Sequence, residues 1–112
     1  MGDSTTAQGA LDLLILKTLD RGANHGFGIT LHIQEASDGL LRVEEGSLYP
    51  ALHRLERSKL VSAEWRTSEN GRRARYYKLT TGGRKRLDEA EKNWSTLSEG
   101  VGKVLRFART PA

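Results

Sequence analysis

Apolar residues recur at helical spacing over four stretches of this 112-residue chain and at strand spacing over two. From Gly9 to Arg21, Leu11, Leu14, Ile15 and Leu19 mark a helical stripe that Leu13 and Leu16 widen until most of the surface is apolar. Such a helix has to be covered on more than one side, and Gly22 is the expected C-cap. A second helix, about Gly26 to Ser37, pairs Phe27 with Leu31 and Ile29 with Ile33 at i,i+4. Asp38-Gly39 turns the chain, and Leu40 to Val43 reads as a short strand. In GSLYPALHRLERSKL, Ser47 is the expected N-cap, and Pro50 falls in the first turn, where its missing amide hydrogen costs nothing. On a helical wheel Leu48, Ala51, Leu52 and Leu55 share one side. Pro50, His53, Arg54 and Arg57 share the other, with Tyr49 on its flank.

After Leu60 the period falls to two. Val61, Ala63 and Trp65 alternate with Ser62, Glu64 and Arg66, and from Arg75 to Thr80 Tyr77 and Leu79 alternate with Tyr76 and Lys78. Asn70-Gly71 between the runs is a strong hairpin signal, because both residue types tolerate positive φ. Arg72, Arg73 and Arg75 are therefore expected at or just after a hairpin tip, within reach of phosphates or a minor groove. From Thr81 to about Phe107 a last helix carries Leu87, Ala90, Trp94, Leu97, Val101, Val104 and Ala108 at alternating spacings of three and four. That is a heptad seam, for which a second copy of the chain would supply the partner; the alternative is a helix folded back on the first one. Gly100 and Gly102 each cost about 1 kcal/mol in a helix interior, so this end either frays or brings two backbones close together.

The order helix, helix, short strand, helix, strand, strand, helix predicts a mainly α fold with a small β wing (α+β), a winged helix-turn-helix followed by a long helix. The expected division is a tail over 1–8, a DNA-binding domain over 9–80, a dimerisation helix over 81–108 and a second tail over 109–112. The opening MGDSTT fits the pattern for N-myristoylation, but Asp3 and the want of a neighbouring basic patch favour a plain tail.

Charge sharpens this reading. The net charge is +4, but residues 1–40 sum to −3, residues 41–86 to +7 with 12 basic and 5 acidic groups, and the remainder to zero. Positive charge is thus confined to the third helix, the hairpin and the start of the last helix, the footprint expected of a phosphate-binding surface. A winged helix that binds protein rather than DNA is the rival. Catalysis is not expected. Gly26-Phe27-Gly28 is too short for a dinucleotide fingerprint, and no Gly-rich loop ends in a lysine. His25, His32 and His53 are scattered, there is no cysteine, and Glu44-Glu45 reads as a helix-dipole complement, so neither metal nor cofactor is expected. No apolar run is long enough to span a bilayer and no signal peptide is visible, so a cytoplasmic protein without a membrane partner is expected.

LDLLILKTL, HGFGI, GSLYPALHRLERSKLV, the Asn-Gly hairpin with RRARYYKLT, and TTGGRKRL occur in this order. From about Gly9 to Leu105 the chain resembles the PadR family of bacterial transcriptional regulators, in particular short members with one C-terminal helix. The resemblance implies a homodimeric winged-helix repressor of double-stranded DNA, often autoregulatory or controlling a neighbouring transporter or stress gene. It carries the DNA-reading role onto Ser47, Tyr49, Pro50, His53 and Arg54 and the wing role onto Gly71, Arg72, Arg73 and Arg75, with Arg57 added from its place on the helix's outer face. The dimer interface falls on Leu87, Ala90, Trp94, Leu97, Val101 and Val104. One multidrug-sensing branch of the family uses a tryptophan on this helix to hold flat ligands, so Trp94 is either core packing or part of a site for a small aromatic effector, with Ala90 leaving room.

Overall fold

The computed structural model describes residues 7–67 and 69–108. Along them run α1 (Ala7–Leu19), β1 (Asn24–His25), α2 (Gly26–Ala36), α3 (Glu45–Arg57), β2 (Val61–Thr67), β3 (Arg73–Leu79) and α4 (Thr81–Ala108). The fold is α+β, three short helices and a three-stranded antiparallel sheet followed by one long helix. The predicted terminal tails lie outside the described residues, except that α1 already includes residues 7 and 8.

The core is built where the apolar stripes meet. Ile15, Leu16 and Leu19 of α1 pack with Ile29 and Ile33 of α2, Leu48, Ala51, Leu52 and Leu55 of α3, and Val61 and Tyr77 of the sheet. Phe27 and Leu31, the other expected pair on α2, stay exposed. Both α2 and α3 stop in six-to-one motifs with a non-glycine residue in the left-handed region. Gly39 N–H donates to Gln34 O and Leu60 N–H to Leu55 O, with Asp38 and Lys59 at φ 54° and 61°.

Three expectations are corrected. The stretch Leu40–Val43 is no strand, because Ser37 takes its amides locally: Leu40 N–H donates to Ser37 O and Leu41 N–H to Ser37 Oγ. The third strand is instead Asn24–His25, which pairs with Tyr77 and Tyr76 and gives the order β1-β3-β2. Ser47 is not the N-cap of α3. Glu44 is, its carbonyl accepting from the amides of Ser47 and Leu48, so Ser47 is already helical and Pro50 lies inside the helix rather than in its first turn. The hairpin connects β2 and β3 through the Asn70-Gly71 segment, as expected. Thr67 pairs with Arg73, and of the described residues 69–72 lie in the loop. Gly71 takes φ +79°, while Asn70 is not among the positive-φ residues, so Arg73 and Arg75 are strand residues and Arg72 alone stands in the loop.

The stem of α4 is locked to the rest. Thr80 Oγ1 accepts from Gly83 N–H at 3.0 Å and donates to Lys59 O at 2.7 Å, while a Cβ on Gly83 would run into the Leu60 carbonyl. Lys17 pairs with Glu91, Arg84 pairs with Asp20, and Leu87 is buried in the same core as Leu52. Leu87 therefore has no surface left for a second chain. Ala90 lines a groove of about 280 Å³ with Leu13, Leu16 and Asn93, also within its own chain. The exposed part of the predicted seam begins at Trp94, 43% exposed, and runs through Val101 to Val104, with Leu105 and Phe107 exposed beside it. Here α4 leaves the domain, which makes the molecule 63 Å long against 28 and 23 Å across.

Candidate nucleic-acid interface

The outer face of α3 presents Ser47, Tyr49, Pro50, His53 and Arg57 to solvent. Tyr49 is held from below: a Cβ on Gly26, the first residue of α2, would come within 2.6 Å of its hydroxyl, so only glycine leaves that ring its place. Gly26 in turn opens a helix capped by His25, whose Nδ1 accepts from Gly28 N–H at 3.1 Å. The His25 ring meets Tyr76 edge-on at 5.2 Å, which ties the start of α2 to the outer side of β3.

Arg54 does not share that face. Its guanidinium donates to Asp12 Oδ1 of α1 at 2.8 Å, and both side chains are mostly covered. A charge so engaged is not available for a base edge. Arg75 is likewise used inside the protein, 2.8 Å from Glu56 Oε2 on α3, with its Nε buried and without a hydrogen-bond acceptor among the described residues. These two ion pairs correct the expectation that Arg54 and Arg75 face a partner. One pair joins α3 to α1, the other joins the wing to α3.

Of the predicted cations, Arg57 at the end of α3, Arg72 in the loop and Arg73 at the start of β3 remain, all exposed and without an ion pair among the described residues. On the sheet face turned toward α3, the register aligns Ala63 with Tyr77 and Trp65 with Arg75. Tyr77 is buried, and burial raises its phenol above the usual tyrosine value, an effect that the nearby Arg75 partly offsets. Trp65, past the edge of the core, is 56% exposed, with the guanidinium carbons of Arg73 and Arg75 at 5.5 and 5.9 Å from its ring centroid. On the opposite sheet face Arg66 lies over Tyr76 at 5.1 Å.

The arrangement is a corner. A helix with a polar outer face forms one wall, a cationic strand pair forms the other, and the Glu56–Arg75 pair sets them side by side. Helix and wing can then engage adjacent grooves of a duplex while the arginines meet phosphates. Trp65, Glu56 and Gly26 are contributors that sequence reasoning missed. For Trp65 a signal existed in the alternation that puts it on the same face as Arg73 and Arg75, opposite one of them. Among the described residues no helix is long and apolar enough to cross a membrane.

Residues 15–89 match the transcriptional regulator PadR-like family. The chain is 40% identical over 77 residues to the transcriptional regulator Rv3488 of Mycobacterium tuberculosis, covering 69% of this chain and 68% of that one. Among solved structures it is similar to a transcriptional regulator from Clostridium thermocellum, with a TM-score of 0.78 and 28% identity over 86% of this chain and 93% of that one. It is also similar to a PadR family transcriptional regulator from Eggerthella lenta, with a TM-score of 0.71 and 33% identity over 88% and 83% of the two chains.

Proposed function

The chain belongs to the PadR-like family of transcriptional regulators, and from that premise we propose that it is a homodimeric repressor that grips a pseudo-palindromic operator with α3 and the wing of each protomer. As a family member it is a DNA-binding transcriptional regulator and not an enzyme. The observation that carries the finer reading is the Glu56–Arg75 pair, which holds the wing beside α3 while Arg57, Arg72 and Arg73 stay unpaired on the surface. Ser47, Tyr49, Pro50 and His53 then face the major groove, Tyr49 and His53 supplying the hydrogen-bonding atoms, and Gly71 lets the loop turn so that Arg72 reaches the backbone. Occupying a promoter in this way blocks it, and the protein acts in the cytoplasm.

The dimer reading rests on the apolar stripe Trp94, Leu97, Val101 and Val104, in which Leu97 is half-buried and the other three are exposed. A second α4 laid along it brings the two Trp94 rings near the two-fold axis, where they pack the interface or take a flat aromatic effector between them. Titration with planar aromatic cations separates the two: quenching of Trp94 emission together with altered operator affinity supports the effector, and an unchanged signal leaves packing.

Three unpaired arginines per protomer make six phosphate contacts per dimer, so log affinity should fall with log salt at a slope of about −5. Removing charge at Arg72 and Arg73 together should weaken binding to all duplexes alike and flatten the slope to about −2. Footprinting should give two half-sites about 10 base pairs apart or a multiple of that. A single asymmetric half-site would break the two-fold reading, and no retention on duplex DNA at low salt would favour a protein-binding winged helix.

A further inference from the structure

We infer that Trp65 is a positioning residue of the DNA-binding surface: its indole holds the Arg73 guanidinium in the corner between α3 and the wing. The inference rests on the DNA-binding reading and adds a side chain that neither charge nor helix-face arguments select. A large aromatic ring more than half exposed on a strand is not there for core burial. Its surroundings supply the reason. Directly across the ladder is Arg75, anchored to Glu56 of α3 at 2.8 Å, and diagonally across is Arg73, which has no carboxylate partner among the described residues. Both guanidinium carbons lie within 6 Å of the ring centroid, at 5.9 and 5.5 Å, inside the range in which a π face attracts a cation.

The ring thus serves as a shared acceptor for two like charges, one fixed and one free. Without it, Arg73 would be pushed away from Arg75 and would sample its full set of rotamers in solvent. With it, α3, Glu56, Arg75, Trp65 and Arg73 form a continuous line of contacts, so the position of the unpaired guanidinium is referred back to the helix that enters the groove. Ordering that side chain in the free protein removes part of the entropic cost of binding.

The test uses the full chain and a nonspecific 30-base-pair duplex, because a phosphate contact requires no operator. Wild-type binding with a steep salt slope comes first; its absence defeats the DNA-binding reading before any variant is compared. W65A should then bind about three- to tenfold more weakly, with a flatter salt slope. W65F, which keeps a π face, should recover most of the loss. In an R73Q background, W65A should cost little more, since the contact it supports is already gone. A melting curve for each variant separates this from unfolding. If W65A matches wild type in affinity and slope, or if W65A and R73Q are fully additive, Trp65 does not position Arg73. If W65A fails to fold, a W65L and R73Q cycle, which also removes the π face but keeps apolar bulk, reads the same coupling, and additivity there overturns the proposal equally.

Discussion

The part of the molecule that ends at Leu87 and the outer half of α4 carry the same sequence signal and meet opposite fates. Both show apolar residues at spacings of three and four. In the first, Ile15, Leu48, Leu52 and Leu87 are shut away from solvent; in the second, Val104, Leu105 and Phe107 stand 62–81% exposed. Periodicity reports that a helix has an apolar stripe and says nothing of what covers it. Helix α1 has α2, α3, α4 and β3 packed around it, whereas beyond Asn93 α4 has outrun its own domain. A 28-residue helix is about 42 Å long, too long for a core this size to cover. Folding back and reaching out, posed as alternatives, each describe one half of α4.

The largest test of this contrast is to place charge on the outer stripe. Leu97→Asp with Val101→Asp puts two carboxylates per protomer into the proposed interface, where unpaired buried charges cost several kcal/mol. Sedimentation should then give a monomer, while the melting of the domain persists because the stem of α4 is held by Leu87, Thr80 and the α1 ion pairs. A dimer that survives both substitutions would mean that the stripe is not what joins the protomers.

The next test compares one truncation in each half. Leu52→Ala empties a fully enclosed position and should lower unfolding free energy by about 2–5 kcal/mol in urea. Val104→Ala should change the unfolding of an isolated protomer by less than about 0.5 kcal/mol, as surface substitutions do. Its effect should appear only in the concentration dependence of association. Equal losses at the two positions would erase the distinction between a saturated core and an open face.

Legibility followed the same division. The buried face of α3 could be read residue by residue, since period and polarity coincide at Leu48, Ala51, Leu52 and Leu55. The two strands of the wing could be read too, because the Val61–Ala63–Trp65 alternation is long enough to fix a face. Strand β1 could not: Asn24–His25 is too short to alternate, and it is a strand only because β3 offers an edge. Nor could the fate of the arginines. Asp12 and Arg54 are 42 positions apart, and nothing local marks them as partners, so a wheel that groups Arg54 with His53 and Arg57 misses its turn toward α1. The place of the hairpin was legible but the length of its loop was not. Asn70-Gly71 suits a tight turn, but the ladder closes at Thr67 and Arg73, and that choice is made by the inner-face pairs Ala63–Tyr77 and Val61–Leu79.

A smaller effect, confined to the compact half, should appear in alkali. The Tyr77 phenol is raised above its usual value by burial. Below about pH 10 the group is protonated in both folded and unfolded chains and stability does not depend on it. Above that pH the unfolded phenol ionises first, so stability falls as pH climbs toward the folded-state value, by at most about 1.4 kcal/mol per pH unit. Tyr77→Phe should flatten this decline in denaturation measured from pH 8 upward. An equally steep decline in the variant would assign the alkaline loss to other groups.

The smallest expected effect lies at the joint between the two halves. Lys59 closes α3 at φ 61°, a conformation in which a side chain crowds the following carbonyl at a cost of about 1 kcal/mol. The motif leaves it no choice: Lys59 N–H donates to Glu56 O, Leu60 N–H to Leu55 O, and the Lys59 carbonyl is itself taken by Thr80 Oγ1 at the start of α4. Glycine relieves the crowding but gives back some stability through its more disordered unfolded state, and it deletes a cation near a helix C-terminus, worth about 0.3 kcal/mol or more. On balance Lys59→Gly should stabilise the protein by at most about 0.3 kcal/mol, seen as a melting point raised by about a degree or two. Because the same backbone turn anchors α4, the gain should appear in the melting of the domain and leave the association of the outer stripe unchanged. A lowered melting point would mean that the lysine stem contributes more by packing than its backbone conformation costs.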